Sequence, residues 1–194
     1  MELHALIPIK SLTHAKSRLA KHLTQEQRNT LVISMLDHVL RILNSCNKIT
    51  KITVVTPDEK IKKRVLNKDV FVEIETQHGH NESLTQAAKK ETYDTKLLTL
   101  SADLPLLNKK DLEEMIQLSQ DCDVVIAPSK DNGTNAILEK SPLILPYLFG
   151  INSFENYKNE SEKRKLSFKV YKSETISFDV DTPVDLKMLP KYLV

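Results

Sequence analysis

Leu97-Leu98-Thr99-Leu100-Ser101-Ala102-Asp103-Leu104-Pro105-Leu106-Leu107 is the stretch from which the architecture can be read. A short apolar run gives way to small polar residues, an aspartate and a proline, which is the pattern of a strand carrying an acidic side chain to its carboxyl end. Outward from this segment, apolar runs of strand length alternate with segments whose apolar residues return at three- and four-residue intervals. That alternation predicts an α/β fold of βαβ units around a mostly parallel sheet. Strands are expected at 3–9, 51–56, 71–75, 97–101, 123–127, 136–139, 168–172 and 175–178. The clearest helix opens at Thr24, which can cap the first turn while Gln27 reaches back. It continues through Leu31, Met35, Leu36, Val39 and Leu43 to end near Asn44 and Ser45. Further helices are expected at 58–67, 82–92, 108–119, 153–165 and 183–189. No repeat or low-complexity segment interrupts the pattern, so residues 1–194 are expected to form one domain.

Composition excludes several classes of function. The 28 basic and 26 acidic side chains nearly cancel, leaving a net charge of +2, which argues against a nucleic-acid binder built on a concentrated basic surface. The apolar segment 143–151 contains Pro146 and Gly150 and falls far short of the ~20 residues of a membrane span, so no membrane partner is expected. The start, Met1-Glu2-Leu3-His4-Ala5, lacks the features of a secretory signal, which predicts a cytoplasmic protein. Cys46 and Cys122 have neither the number nor the spacing of a disulfide framework or zinc site and read as buried thiols. His78 and His80 have no cysteine or carboxylate at ligand spacing.

In open α/β sheets ligands bind beyond the carboxyl ends of the strands, which directs attention to three segments. After the first strand, Lys10-Ser11-Leu12-Thr13-His14-Ala15-Lys16-Ser17-Arg18 carries three cations and no acid. Its hydroxyls and amides could wrap a polyphosphate, although it has no glycine and is neither a Walker loop nor a dinucleotide fingerprint; the alternative is a solvated basic face. Asp103 is placed to hold a metal, or else to initiate a turn. In Asp179-Val180-Asp181-Thr182-Pro183, alternation puts Asp179 and Asp181 on one side, while Asp181-Thr182-Pro183 also reads as a helix start. Capping by Asp181 or Thr182 leaves another aspartate for metal. Only three glycines occur, Gly79, Gly133 and Gly150, all in expected loops.

Taken in order, five segments resemble the 2-phospho-L-lactate guanylyltransferase family and its phosphoenolpyruvate-using relatives. They are Ile7-Pro8-Ile9-Lys10 with Ala15-Lys16-Ser17-Arg18-Leu19; Ser101-Ala102-Asp103-Leu104-Pro105-Leu106; Ala127-Pro128 with Gly133-Thr134-Asn135-Ala136; Phe149-Gly150 with Ser153-Phe154; and Asp179-Val180-Asp181-Thr182-Pro183 with Asp185-Leu186. The resemblance covers almost the whole chain. It implies a glycosyltransferase-A-like three-layer fold and transfer of GMP from GTP to 2-phospho-L-lactate or phosphoenolpyruvate, with release of pyrophosphate, on the way to a deazaflavin coenzyme. It also implies Lys10, Arg18 and Asp103 as catalytic residues, Lys10, Lys16, Arg18, Asn81, Ser83 and Asp103 at the nucleotide, and Thr134, Gly150 and Ser153 at the acceptor. Asp103 with Asp179 or Asp181 would hold magnesium, and a homodimer would fit the resemblance.

Ser153 also lies near a helix start that favours anions, although Asn152 could instead form a capping box with Glu155 and leave Ser153 a bystander. One departure is Asn132, where many relatives carry a second glycine; asparagine tolerates a left-handed turn, so the loop should survive. Two rivals are a nucleotidyltransferase acting on a sugar phosphate or the molybdenum cofactor, and a nucleotide-binding module without turnover. Relatives of the first kind usually open with a glycine-rich loop, and the second has less need of metal carboxylates.

Overall fold

The computed structural model describes residues 2–66, 70–74 and 79–190. Its seven strands are β1 (Glu2–Pro8), β2 (Lys51–Thr56), β3 (Phe71–Ile74), β4 (Thr95–Leu100), β5 (Val124–Pro128), β6 (Thr134–Glu139) and β7 (Phe168–Val170). They form one sheet in the order β3-β2-β1-β4-β6-β5-β7. β6 runs antiparallel to both β4 and β5, and the remaining pairs are parallel. The helices are α1 (Gln25–Asn44), α2 (Glu59–Val65), α3 (His80–Ala88), α4 (Lys109–Leu118), α5 (Ser153–Lys163) and the single turns α6 (Glu174–Ser177) and α7 (Pro183–Leu186). The expected α/β class and mostly parallel mixed sheet are thus observed.

Period-two alternation sorts the strand side chains onto two faces. Leu3, Ala5 and Ile7 of β1, with Ile52, Val54, Leu98 and Leu100, pack on α1, α2 and α4 in the main core. Leu6, Val55 and Leu97 face the other way, onto Leu84, Ala87 and Ala88 of α3 and onto Tyr147. Val124, Ile126 and Ile137 continue that second layer against Leu145 and Tyr157. α1 is the longest helix because its apolar stripe is continuous, with Met35, Leu36, Val39 and Leu43 fully covered. The expected capping box is present, Thr24 accepting from the Gln27 amide and Gln27 from the Thr24 amide.

Residues 175–178, expected as a strand, are instead the helical turn α6. Four residues are too few for alternation to tell strand from helix. The local hydroxyls decide: Ser173 accepts from the Thr175 amide, and buried Asp111 accepts from Ser173 and Thr175 at 2.6 and 2.7 Å. α3 starts two residues earlier and ends four sooner than expected, and β7 ends at Val170. Asn67 and Glu75, expected at element ends, lie outside the described residues. Cys46 and Cys122 are both buried free thiols. No helix among the described residues is long and apolar enough to cross a membrane.

Glu139, at the end of β6, is 1% exposed, and among the described residues its side chain accepts only the Leu145 amide, at 3.0 Å. Burial pushes its carboxyl up to about 8, against the pull of that amide and of Arg164. A carboxyl whose folded pKa lies above its ordinary 4.5 favours folding most at low pH, and the contribution falls as pH rises from 4.5 toward 8. Glu139→Gln keeps an acceptor for Leu145 and does not ionise. Denaturation at pH 5 and pH 8 is expected to show the variant gaining about 1 kcal/mol or more on the parent at the higher pH; a pH-independent difference would contradict it.

Candidate active site

The order β3-β2-β1-β4 places consecutive strands to one side of β1 and β4 on the other, so the crevice between β1 and β4 is a topological switch point. A cavity of about 370 Å³ opens there, lined by residues following both strands: Pro8, Ile9, Lys10 and Ser11 from one, Ser101, Ala102 and Asp103 from the other. Ala15, Lys16, Ser17, Arg18, His80 and Asp181 complete most of the wall.

The basic segment reaches the cavity through two short 3-10 turns, Leu12–His14 and Ser17–Leu19. Asp58 fixes the first, accepting from the Leu12 amide at 2.8 Å and the Ser11 hydroxyl at 3.1 Å. Lys16 sits between the turns with φ 48°, a left-handed conformation that an L-residue adopts only under constraint. The constraint is electrostatic. Its ammonium donates to Asp103 Oδ2 at 2.5 Å and Asp181 Oδ1 at 3.0 Å, with only 9% of the side chain exposed. Burial alone would lower the lysine pKa, but the two carboxylates hold it above its ordinary value. Arg18 donates to the other oxygen of Asp181 at 3.0 Å while remaining largely in solvent. Lys10 lies exposed on the cavity rim and makes no ion pair among the described residues.

Asp103, Asp179 and Asp181 each present a carboxylate oxygen, and the three oxygens lie within 4.8 Å of one another. Asp179 is the buried member. Its Oδ1 has no hydrogen-bond partner among the described residues and stands 3.8 Å from the Lys130 ammonium. Burial, then repulsion from Asp103 and Asp181, pushes its carboxyl up to about 6, with Lys130 opposing. A buried carboxylate oxygen lacking a partner, beside two more carboxylates, is unfavourable unless a cation completes the group. Three hard oxygen donors suit magnesium better than a softer metal.

The supports of this cluster come from α7 and from the loop before β6. Thr182 is the N-cap, in a reciprocal box with Asp185, so of the two residues considered for capping it is Thr182 that serves. Asp185 also accepts from the Asp181 amide at 2.9 Å and from Lys130 at 2.7 Å. Although burial opposes it, these donors hold its carboxyl down at about 2. Lys130 further donates to the Asp179 carbonyl at 2.6 Å. Lys130 was not singled out from the sequence, and His80 was weighed there only for metal spacing. His80 is kept below the ordinary histidine value by burial and then by Lys10, with Asp103 opposing.

The expected acceptor residues are brought together. The Ser153 hydroxyl donates to Thr134 Oγ1 at 3.1 Å, both residues are buried, and the Ser153 amide donates to Gly150 O at 3.2 Å. Asn152 makes no side-chain cap, so the alternative box with Glu155 does not form. The start of α5 is less bare than expected, because the Phe154 amide is also engaged, on Asn132 O at 3.3 Å. Asn132 takes the left-handed turn, with φ 65°. At Gly133 a Cβ would stand 2.6 Å from the Ser129 hydroxyl, and Gly150 has φ 139°. Thr134 joins the sheet edge near Asp103, since the Ser101 amide donates to its neighbour Asn135 at 2.8 Å. Asn81 and Ser83 do not line the cavity: Asn81 pairs with the backbone of Phe149, and Ser83 donates to Gly79 O.

A switch-point cavity with a cationic loop on one wall and clustered aspartates on the other defines the class as a nucleotide-handling α/β transferase. The chain belongs to the family described as Guanylyl transferase CofC like, whose model matches residues 3–190. It is 32% identical over 189 residues to the phosphoenolpyruvate guanylyltransferase of Sphaerobacter thermophilus, covering 95% of this chain and 91% of that protein. It is 32% identical over 187 residues to the 2-phospho-L-lactate guanylyltransferase of Methanocaldococcus jannaschii, covering 96% and 81%. Among solved structures, a protein of Desulfovibrio desulfuricans G20 provisionally named a nucleotide-diphospho-sugar transferase superposes with a TM-score of 0.80 at 18% identity, over 97% of this chain and 86% of that one. The 4-diphosphocytidyl-2C-methyl-D-erythritol synthase of Anaerococcus prevotii gives 0.64 at 17%, over 99% and 98%. At those identities the structures establish the fold, and the family rests on the sequence relatives.

Asp179→Asn removes a buried charge from a crowded acidic cluster. In EDTA it is expected to raise folding stability by about 1 kcal/mol, the scale of a one-unit pKa perturbation. Thermal or urea unfolding checks this, and a loss of stability would show that Asp179 serves the fold instead.

Proposed function

We propose that the protein transfers GMP from GTP to the phosphate of a small phosphorylated acid, 2-phospho-L-lactate or phosphoenolpyruvate, releasing pyrophosphate. The observation that carries this reading is the convergence of Asp103, Asp179 and Asp181 beside a cavity whose other wall bears Lys10, Lys16 and Arg18. The names of the relatives supply the donor and the acceptors.

In the reaction an acceptor phosphate oxygen forms a bond to the α-phosphorus of GTP, and the bond from that phosphorus to the bridging oxygen breaks. Pyrophosphate departs with the electron pair. The acceptor oxygen is ionised at neutral pH, so no protein nucleophile or general base is needed and positioning supplies much of the rate. Lys10, Lys16 and Arg18 grip the triphosphate and offset the charge that builds up on it. Asp103, Asp179 and Asp181 would hold magnesium, which, when bound, neutralises phosphate charge and favours the in-line geometry. The hydroxyls of Thr134 and Ser153 and the backbone at Gly150 receive the acceptor. We assign the reaction to the cytoplasm, in the synthesis of a deazaflavin coenzyme.

The decisive experiment supplies GTP labelled at the α-phosphate, magnesium and each candidate acceptor, and follows pyrophosphate release and transfer of the label. Turnover with 2-phospho-L-lactate or phosphoenolpyruvate supports the reading; turnover confined to sugar phosphates, or GTP binding without turnover, replaces it. Asp103→Ala is expected to reduce kcat by at least ~10²-fold, the scale of losing one electrostatic stabiliser, while circular dichroism reports a folded protein. Near-parental activity would remove Asp103 from the mechanism. Thr134→Val deletes one hydroxyl at nearly constant volume and should raise the acceptor KM about tenfold with the GTP KM within about twofold. Equal changes for both substrates would dissolve the proposed acceptor pocket.

A further inference from the structure

The first two residues of α3 face different parts of the molecule. His80 lines the cavity, in the fields of Lys10 and Asp103. Asn81 turns to the segment before α5. Its Nδ2 donates to Phe149 O at 3.1 Å, and its Oδ1 accepts from Phe149 N at 3.1 Å. One carboxamide therefore satisfies both polar backbone groups of Phe149, the exchange that two paired strands make, supplied here by a side chain.

Phe149 is held on its other sides as well. Its ring meets His80 edge-on at 6.0 Å, stacks on Tyr147 at 6.0 Å and meets Tyr157 edge-on at 5.6 Å. Those tyrosines are fixed in turn: Tyr147 pairs with the Thr99 hydroxyl at 2.9 Å, and Tyr157 accepts from the Leu148 amide at 3.0 Å. Gly150 follows directly in a conformation open to glycine, and its carbonyl receives the Ser153 amide. A continuous chain of contacts thus runs from the cavity wall at His80, through Asn81 and Phe149, to Gly150, Ser153 and Thr134. Asn81 is the only member that bonds the backbone of that segment directly to α3 among the described residues.

We propose that Asn81 is a positioning residue that couples the two substrate sites. Its carboxamide is engaged by Phe149 and it does not line the cavity; it ties Phe149 and Gly150 to α3, so that occupation of the cavity beside His80 fixes the acceptor pocket and the first substrate favours binding of the second. The coupling rests on the guanylyl-transfer reading above. A ligand can shift the pocket only by packing differently on its two arrangements, and the His80 side of α3 is where that difference arises.

The test uses the full chain, with Asn81→Ala and Asn81→Asp. The aspartate keeps an acceptor for the Phe149 amide and loses the donor to its carbonyl. Asn81→Ala is expected to raise the acceptor KM about tenfold or more while the Kd for GTP measured without acceptor moves less than about twofold, with Asn81→Asp in between. An unchanged acceptor KM, or an equal rise in the acceptor-free Kd for GTP, overturns the proposal. Hydrogen exchange gives a readout that does not depend on turnover. In the parent, GTP should slow exchange both in residues 10–18 and in residues 148–152; in Asn81→Ala only the first segment should respond. Protection of 10–18 alone in the parent overturns the coupling and leaves guanylyl transfer standing, whereas protection of neither overturns both. Should Asn81→Ala fail to fold, the parent exchange pattern decides.

Discussion

The buried ammonium of Lys16 organises the candidate site. It joins Asp103, at the end of β4, to Asp181, far along the chain, and draws the loop after β1 over both. Three segments distant in sequence are thereby held around one cavity. Neither carboxylate could approach the other so closely without a cation between them, and the ammonium would not be buried without them. The left-handed backbone at Lys16 is the local cost of that arrangement.

This pairing leaves the third carboxylate outside. Asp179 is buried beside two like charges, and Lys130 is spent on its backbone carbonyl and on Asp185 rather than on its orphaned oxygen. In the proposed reaction a divalent ion and the triphosphate would offer these groups partners of their own, the carboxylates holding the metal and Lys16 facing the phosphates.

Much of this architecture was legible in the sequence because its signals are local. The alternation along Leu3, Ala5 and Ile7 and the return of Met35, Leu36, Val39 and Leu43 at helical spacing specify their faces whatever packs on them. Asp103 could be placed because a buried strand ends just before it. The turn at 174–177 could not, since the buried Asp111 that receives its hydroxyls lies some 60 residues earlier. Lys130 was missed for a related reason: a lone lysine in a loop is commonplace, and only tertiary contacts give it its meaning. The glycines spoke more clearly, because a chain that uses so few keeps them where a Cβ would collide or strain, as at Gly133 and Gly150.

The part of the site least visible in sequence is how its halves communicate. The cavity wall hangs on β1 and β4, Thr134 and Ser153 lie on β6 and α5, and β6 is the reversed strand that joins the two halves of the sheet. Reversal brings the start of β6, and hence Thr134, to the same edge of the sheet as the end of β4. The carboxyl edge is then bridged a second time, above the sheet, by the contact of α3 with Phe149. Two connections of different stiffness follow: a ladder of strand hydrogen bonds that cannot shift without losing register, and a single side-chain pair that can break and re-form. In the proposed coupling, the rigid ladder would fix the separation of the two substrate sites, while the weaker bridge would let one respond to what occupies the other.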